Sequence, residues 1–228
     1  MKNQWFGDRY DFRKYGLLYF LSKNYYDSIM VAWMLTEDDI PKEGTIQAKI
    51  WGHLSSRKKV AFAQEIFDDL PQEKKIIFFD KYLNHINRQS WLDELKKKCS
   101  KEAPSLIFFD ADNGFEDADN GFEDTTRMKK ETYIYLDEIK DFTYNGIDVL
   151  LYQHRTQKML KRFETMCDDQ MRLLTEKGYS NIKIIKATGD LAFFLIHIGN
   201  EGLNNFENLF IKSFGNTKPD KKYLELLN

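Results

Sequence analysis

Four short apolar runs constrain this chain more than any other feature. They are SIMVAWML at Ser28–Leu35, KIIFF at Lys75–Phe79, SLIFF at Ser105–Phe109 and IDVLLY at Ile147–Tyr152. Each has strand length and is rich in β-branched and aromatic residues. None alternates polar with apolar, so each predicts a strand buried on both faces. Such strands belong to parallel sheets, which helices cover on either side. The segments between them supply those helices. In Asp8–Asn24, Tyr10, Lys14, Leu17, Leu18 and Leu21 recur at helical spacing, with Asp8 as N-cap. Ser55–Leu70, Arg88–Cys99, Lys129–Phe142 and Gln157–Lys177 read as further helices. Two last strands, Ile182–Lys186 and Ala192–Ile198, are joined by Thr188-Gly189-Asp190 in a hairpin-like connection, and a short helix, Leu203–Phe214, follows. The expectation is a single α/β domain over residues 1–228. It would be a three-layer sandwich on a mostly parallel sheet with an antiparallel C-terminal strand pair. Ligands bind such sheets at the C-terminal ends of the strands.

Composition narrows the classes. An aromatic content of 15% excludes a disordered chain, and 228 residues can bury a sizeable core without disulfides or metals. A formal net charge of −2 gives no global attraction to nucleic acid or to membranes. The local basic runs Arg57-Lys58-Lys59 and Lys96-Lys97-Lys98 read as solvated helix faces. Cys99 and Cys167 are far apart and neither lies in a Cys-x-x-Cys pair, which argues against a disulfide framework and a cysteine zinc site. Two lone thiols, the lack of an apolar signal core at the N-terminus and the lack of any apolar run near the ~18 residues of a membrane span predict a cytoplasmic protein with no membrane association.

Asp110–Glu116, DADNGFE, follows the clearest buried strand and is copied at once as Asp117–Glu123. Seven residues cannot form a solenoid unit, so the second copy reads as a lengthened loop. In the first copy Asp110 and Asp112 are alternate residues, and on extended chain both carboxylates point the same way. Such a pair can hold a divalent cation or position a substrate amine or hydroxyl. Asn113-Gly114 then permits a tight turn. The plainer alternative is an Asx-rich turn that caps the next element.

Two more constellations fall near strand or helix starts and ends. Tyr152-Gln153-His154-Arg155 closes an apolar strand; His154 can act as base or metal ligand, and Gln153 both donates and accepts. Asp8, Asp11, Lys14 and Tyr15 share one helix face by three- and four-residue spacing. That pattern is either a capped, salt-bridged amphipathic helix or a ligand-facing helix start. Glu138 and Asp137 read as solvated. No P-loop, no Gly-x-Gly-x-x-Gly and no Gly-x-Ser-x-Gly elbow is present.

WFGDRYDFRKYGLL, FFDADNG and LLYQHR together resemble an uncharacterised bacterial family. Its members carry Gly-Asp-x-x-Asp-x-x-Lys-Tyr-x-x-Leu, Asp-Pro-Asp-Asn-Gly and Tyr-Gln-His; here Ala111 replaces the proline. The layout more distantly resembles the Rossmann-like class I methyltransferases, which place an acidic motif after the fourth strand and end on an antiparallel pair. Asp11-x-x-Lys14-Tyr15 is similar to the Asp-x-x-Lys-His helix of ribosomal-RNA adenine methyltransferases. The resemblance implies S-adenosylmethionine as cofactor, with Asp8, Asp11, Lys14, Tyr15 and Gly114 as candidate contacts. It makes nucleic acid a candidate substrate, with Asp110, Asp112, Asn113 and His154 as candidate catalytic residues. The glycine-rich turn of that fold is missing after Leu35, where Thr36-Glu37-Asp38-Asp39 stands instead. A second expectation is a nuclease or phosphatase in which Asp110, Asp112 and His154 hold Mg²⁺ or Mn²⁺. A third is a non-catalytic binding protein of bacterial or phage conflict on a degenerate enzyme fold.

Overall fold

A computed structural model describes residues 9–36, 65–84, 86–111, 113–116, 132–154, 163–187, 191–199, 203–214 and 224–227. Helix α1 (Arg9–Asn24) leads into strand β1 (Ser28–Trp33). Then come β2 (Lys75–Phe79), α2 (Arg88–Glu102) and β3 (Leu106–Asp110). Two three-residue strands follow, β4 (Gly114–Glu116) and β5 (Tyr133–Tyr135), then α3 (Leu136–Tyr144) and β6 (Asp148–His154). The chain continues through α4 (Phe163–Glu176), β7 (Ile182–Ala187), β8 (Leu191–Ile196), α5 (Phe206–Phe214) and β9 (Leu224–Leu227).

Seven strands form one sheet in the order β2-β1-β3-β6-β8-β7-β9. The first four run parallel; Ile29 pairs with Ile76 on one side and Leu106 on the other. β8 is antiparallel to both β6 and β7, so it enters the sheet between them. The result is the expected Rossmann-like α/β sandwich with a mostly parallel sheet and an antiparallel C-terminal pair. β9, which the sequence pattern does not disclose, pairs antiparallel with β7.

Pleating sends alternate residues to opposite faces. Ile29, Val31, Trp33, Phe108, Leu150 and Tyr152 pack with Leu17, Leu18 and Leu21 of α1 and with Phe206 and Phe210 of α5. Met30, Ala32, Ile107, Phe109, Val149 and Leu151 pack with residues of α2, α3 and α4, among them Leu95, Ile139 and Met166. Both faces of the central strands are therefore dry, which is why those strands carry no polar alternation. Among the described residues, no helix is long and apolar enough to cross a membrane.

The expected helix Lys129–Phe142 starts late. Residues 129–131 lie outside the described residues, and Tyr133-Ile134-Tyr135 is the strand β5, parallel to β4. Its aromatic and β-branched residues favour a strand, and the helix starts where Glu138 accepts a hydrogen bond from the Tyr135 amide at 2.8 Å. The helix expected from Gln157 is described from Phe163. Most of Ser55–Leu70 lies outside the described residues.

Candidate functional site

β3 is apolar until its last residue. Asp110 closes it in register with Trp33 of β1, at the C-terminal end of the parallel strands. Its carboxylate is on the face that α1 covers. Lys14, in the second turn of α1, brings its Nζ to 2.7 Å from Asp110 Oδ1 and 3.3 Å from Asp11 Oδ1. The same ammonium stands 4.4 Å from the centre of the Tyr152 ring of β6. Asp11, Lys14 and Asp110 are 2%, 6% and 1% exposed, so all three charges have left water. An isolated buried charge costs several kcal/mol, and pairing with good geometry offsets that cost. Burial works against the charge on Lys14, but the two carboxylates outweigh it, Asp110 more than Asp11. They hold the ammonium well above the ordinary lysine range. Tyr15, the next residue, has its hydroxyl raised far above a free tyrosine, first by burial and then by the fields of Asp11 and Asp110.

Two carboxyl groups share one ammonium. Asp110 Oδ1 faces Lys14, whereas Asp110 Oδ2 is buried without a hydrogen-bond partner among the described residues. A buried acceptor left unmade costs about 1–3 kcal/mol. The arrangement therefore favours a ligand that brings a donor or a positive charge to Oδ2.

The segment after Asp110 is held from the other face of the sheet. Gln153 of β6 is fully buried. Its Oε1 accepts from the Phe115 amide at 3.1 Å, and its Nε2 donates to the Asn113 carbonyl at 3.1 Å. Gln170 of α4 donates to the same Oε1 at 3.4 Å. Asn113 donates to Thr132 through its amide nitrogen, at 2.9 Å to the carbonyl, and through its side chain, at 2.8 Å to the hydroxyl. Gly114 has a φ of +106°, and a Cβ there would lie 2.3 Å from Gln153 Oε1 and 2.9 Å from the Tyr152 carbonyl. Asn113 and Gly114 thus fix the path of the loop against β6.

His154 is the last residue of β6 and is half-buried. Its ring lies parallel to that of Tyr152, with centroids 6.4 Å apart. Alternation puts it on the Asp110 face. The structure brings Asp11, Lys14 and Asp110 into direct contact, and sets the Tyr152 ring beside the ammonium and Tyr15 within the field of both carboxylates. Asn113 and Gly114 are instead held by Thr132 and Gln153, and His154 stacks on Tyr152. Asp8 and Asp112 lie outside the described residues. Among the described residues, no set of three or more His, Cys, Asp or Glu side chains is placed to hold a metal ion.

Sequence spacing points to Lys14 and to Asp110 separately and does not reveal that they meet. Their separation in the chain hides the contact; only the seating of α1 on the sheet makes it. Glu138, expected to be solvated, is instead half-buried beneath Arg88, whose Nε and Nη2 each reach its carboxylate at 2.5 Å. A further buried cluster occupies the opposite end of the sheet. Asp148 accepts from the Tyr26 hydroxyl at 2.6 Å and the Ile198 amide at 2.8 Å, and faces His197 Nδ1. It pins the end of β8 to the start of β6, away from the ligand end. Comparison with protein-family models, with curated proteins and with solved structures gives no match for this chain.

Proposed function

We propose that the site at Asp110 binds and orients an amino group for a methyltransferase-like transfer, with a nucleic-acid base as the candidate acceptor. One observation carries this reading: Asp110 Oδ2 is buried, without a hydrogen-bond partner among the described residues, and at the C-terminal end of a parallel strand, while Oδ1 faces the Lys14 ammonium. A carboxylate held on one side by an ammonium has a set direction for its other oxygen. That oxygen can accept an N–H from an amine, leaving the nitrogen lone pair turned away for attack. The ring of His154, half-buried at the end of β6, offers a surface on which a planar base can stack.

S-adenosylmethionine would supply the methyl group. The residues present fit the acceptor half of such a reaction better than the cofactor half. Thr36-Glu37-Asp38-Asp39 stands where a glycine-rich turn would be. The hydrolase reading is less favoured, because Lys14 already occupies Asp110 Oδ1 and a divalent cation would have to compete with that ammonium.

The test is calorimetry with S-adenosylmethionine, paired with labelled methyl transfer to total RNA and DNA. Expected are measurable heat and incorporation that Asp110→Asn abolishes while cofactor binding survives. No heat up to about 1 mM, a ceiling corresponding to only ~4 kcal/mol of binding, would overturn the reading. So would incorporation unchanged in Asp110→Asn. A melt raised by Mn²⁺ in the wild type and not in Asp110→Asn would move the site to the hydrolase reading.

A further inference from the structure

Helix α1 carries a glycine at a place where a glycine is costly. Gly16 sits inside the helix, where it costs about 0.5–1 kcal/mol relative to alanine. Among the described residues close packing does not explain it: a Cβ added there would meet none of them within 4 Å, and its φ is not in the left-handed region. The space it leaves open belongs to a groove of about 450 Å³ between α1, the end of α5 and Ile66. That volume lies in the range of small-molecule sites.

The floor of the groove is aromatic. Buried Tyr15 and Phe20 form it, and Tyr19 and Phe214 stand at its sides. Phe20 and Phe214 meet edge to face at 5.4 Å, so these walls are themselves packed. Lys23 and Asn24 close one end. Lys23 is exposed, and its Nζ stands 5.7 Å from the Tyr19 ring centre. Among the described residues it is the only charged side chain lining the groove, and no carboxylate among them is paired with it. Tyr15, Tyr19 and Lys23 follow one another at four-residue spacing on one line of the helix, each step about 6 Å. Gly16 and Lys23 lie on one face about two turns, ~10 Å, apart. Lys23 Nζ leans back to 5.7 Å from the Tyr19 ring centre, so a planar ring seated over Gly16 and against Tyr19 would point an attached anion along the helix at that ammonium.

We propose that this groove is a binding site for a mononucleotide-sized aromatic anion, with the base over Gly16 and the phosphate at Lys23. The site is separate from the Asp110 cluster, although Tyr15 borders both, and it does not rest on the function proposed above. Small-molecule sites commonly combine an apolar, aromatic lining with a single polar group that fixes orientation.

The test is calorimetry on the full chain with adenosine 5′-monophosphate, adenosine and inorganic phosphate as probes. The monophosphate should bind more tightly than either fragment. Lys23→Met should weaken the monophosphate about tenfold or more and leave adenosine unchanged, because only the charge-assisted contact is lost. Gly16→Leu should abolish binding of both while its thermal melt stays level or rises, because the side chain fills the groove and removes a helix-interior glycine. Asp110→Asn should bind the monophosphate as the wild type does, which separates this site from the other. The proposal is overturned if the monophosphate gives no heat up to about 1 mM, if Gly16→Leu is folded and binds normally, or if Lys23→Met weakens adenosine equally.

Discussion

Lys14 and Asp110 meet at 2.7 Å in the interior, and this one contact ties the first helix to the end of the third strand. The pair and its neighbour Asp11 are shielded from water, so removing the ammonium takes from two buried carboxylates the cation they share. Lys14→Met should cost about 3–5 kcal/mol in urea unfolding, the usual loss when one partner of a buried pair goes. The triple variant Asp11→Asn, Lys14→Met, Asp110→Asn should recover most of that. Because the folded state raises the Lys14 pKa, its contribution is fully present below the unfolded lysine pKa, near 10.4. It is lost only as pH rises through the still higher folded value. A Lys14→Met protein as stable as wild type at pH 7 would contradict the buried pair.

Asp110 is legible in the sequence because an acid that ends an apolar strand breaks the pattern of the residues before it. Asp11 and Lys14 are legible as one helix face, because a three-residue spacing guarantees it. Their joining to Asp110 is not, since it depends on how α1 lies across the sheet. Gln153 is legible as a donor and acceptor, but not as the clamp on Asn113 and Phe115, which is a contact between distant segments. β4, β5 and β9 have three or four residues each, too few for a period to show. In β5 the local preference of Tyr-Ile-Tyr competes with the helical pattern of the residues after it.

Gly114 has no room for a side chain. Its positive φ strains any other residue, and the 2.3 Å and 2.9 Å approaches to Gln153 and to the Tyr152 carbonyl add overlap. Gly114→Ala should lose about 1–3 kcal/mol, in the range seen for strained backbone and overpacking. Adding Gln153→Ala relieves only the side-chain overlap and removes the clamp, so the double variant should not return to wild-type stability. Urea midpoints of the two single variants and the double variant decide this. Full rescue would mean that the backbone approach is not the obstacle.

Burial pushes the thiol of Cys99 up to about 12 and that of Cys167 up to about 11. Both folded values exceed the unfolded one, near 8.5. The neutral thiols therefore contribute fully below the unfolded value, and that contribution is lost as pH rises from there through the folded values. Urea midpoints should start to fall above pH ~8.5. Tyr15 and Tyr26, also raised by burial, should steepen the fall above the ordinary tyrosine value. Cys99→Ala with Cys167→Ala should flatten the first part of that profile. Both thiols should also be inert to a disulfide probe until the chain unfolds. Rapid labelling of either one at neutral pH would contradict their burial.

Arg88 tests how the loop near Asp110 is supported. Its Nε and Nη2 grip Glu138, its Nη2 also donates to the Tyr133 carbonyl at 2.8 Å, and the guanidinium lies 4.5 Å from the centre of the Tyr135 ring. Glu138 in turn accepts from the Tyr135 amide that starts α3. One planar fork thus holds β5 and the helix start together, and β5 is the strand beside Gly114–Glu116. A lysine is a single point of charge and cannot make the two-pronged contact and reach the carbonyl at once. Arg88→Lys should cost about 1–3 kcal/mol. The damage should be local, with faster hydrogen exchange at the Tyr135 and Phe115 amides and little change in β1 and β3. Ligand binding at Asp110 should weaken with it, because the chain that follows Asp110 would lose its outer brace. An Arg88→Lys protein with wild-type exchange at Tyr135 would show that Glu138 holds the helix start without the guanidinium.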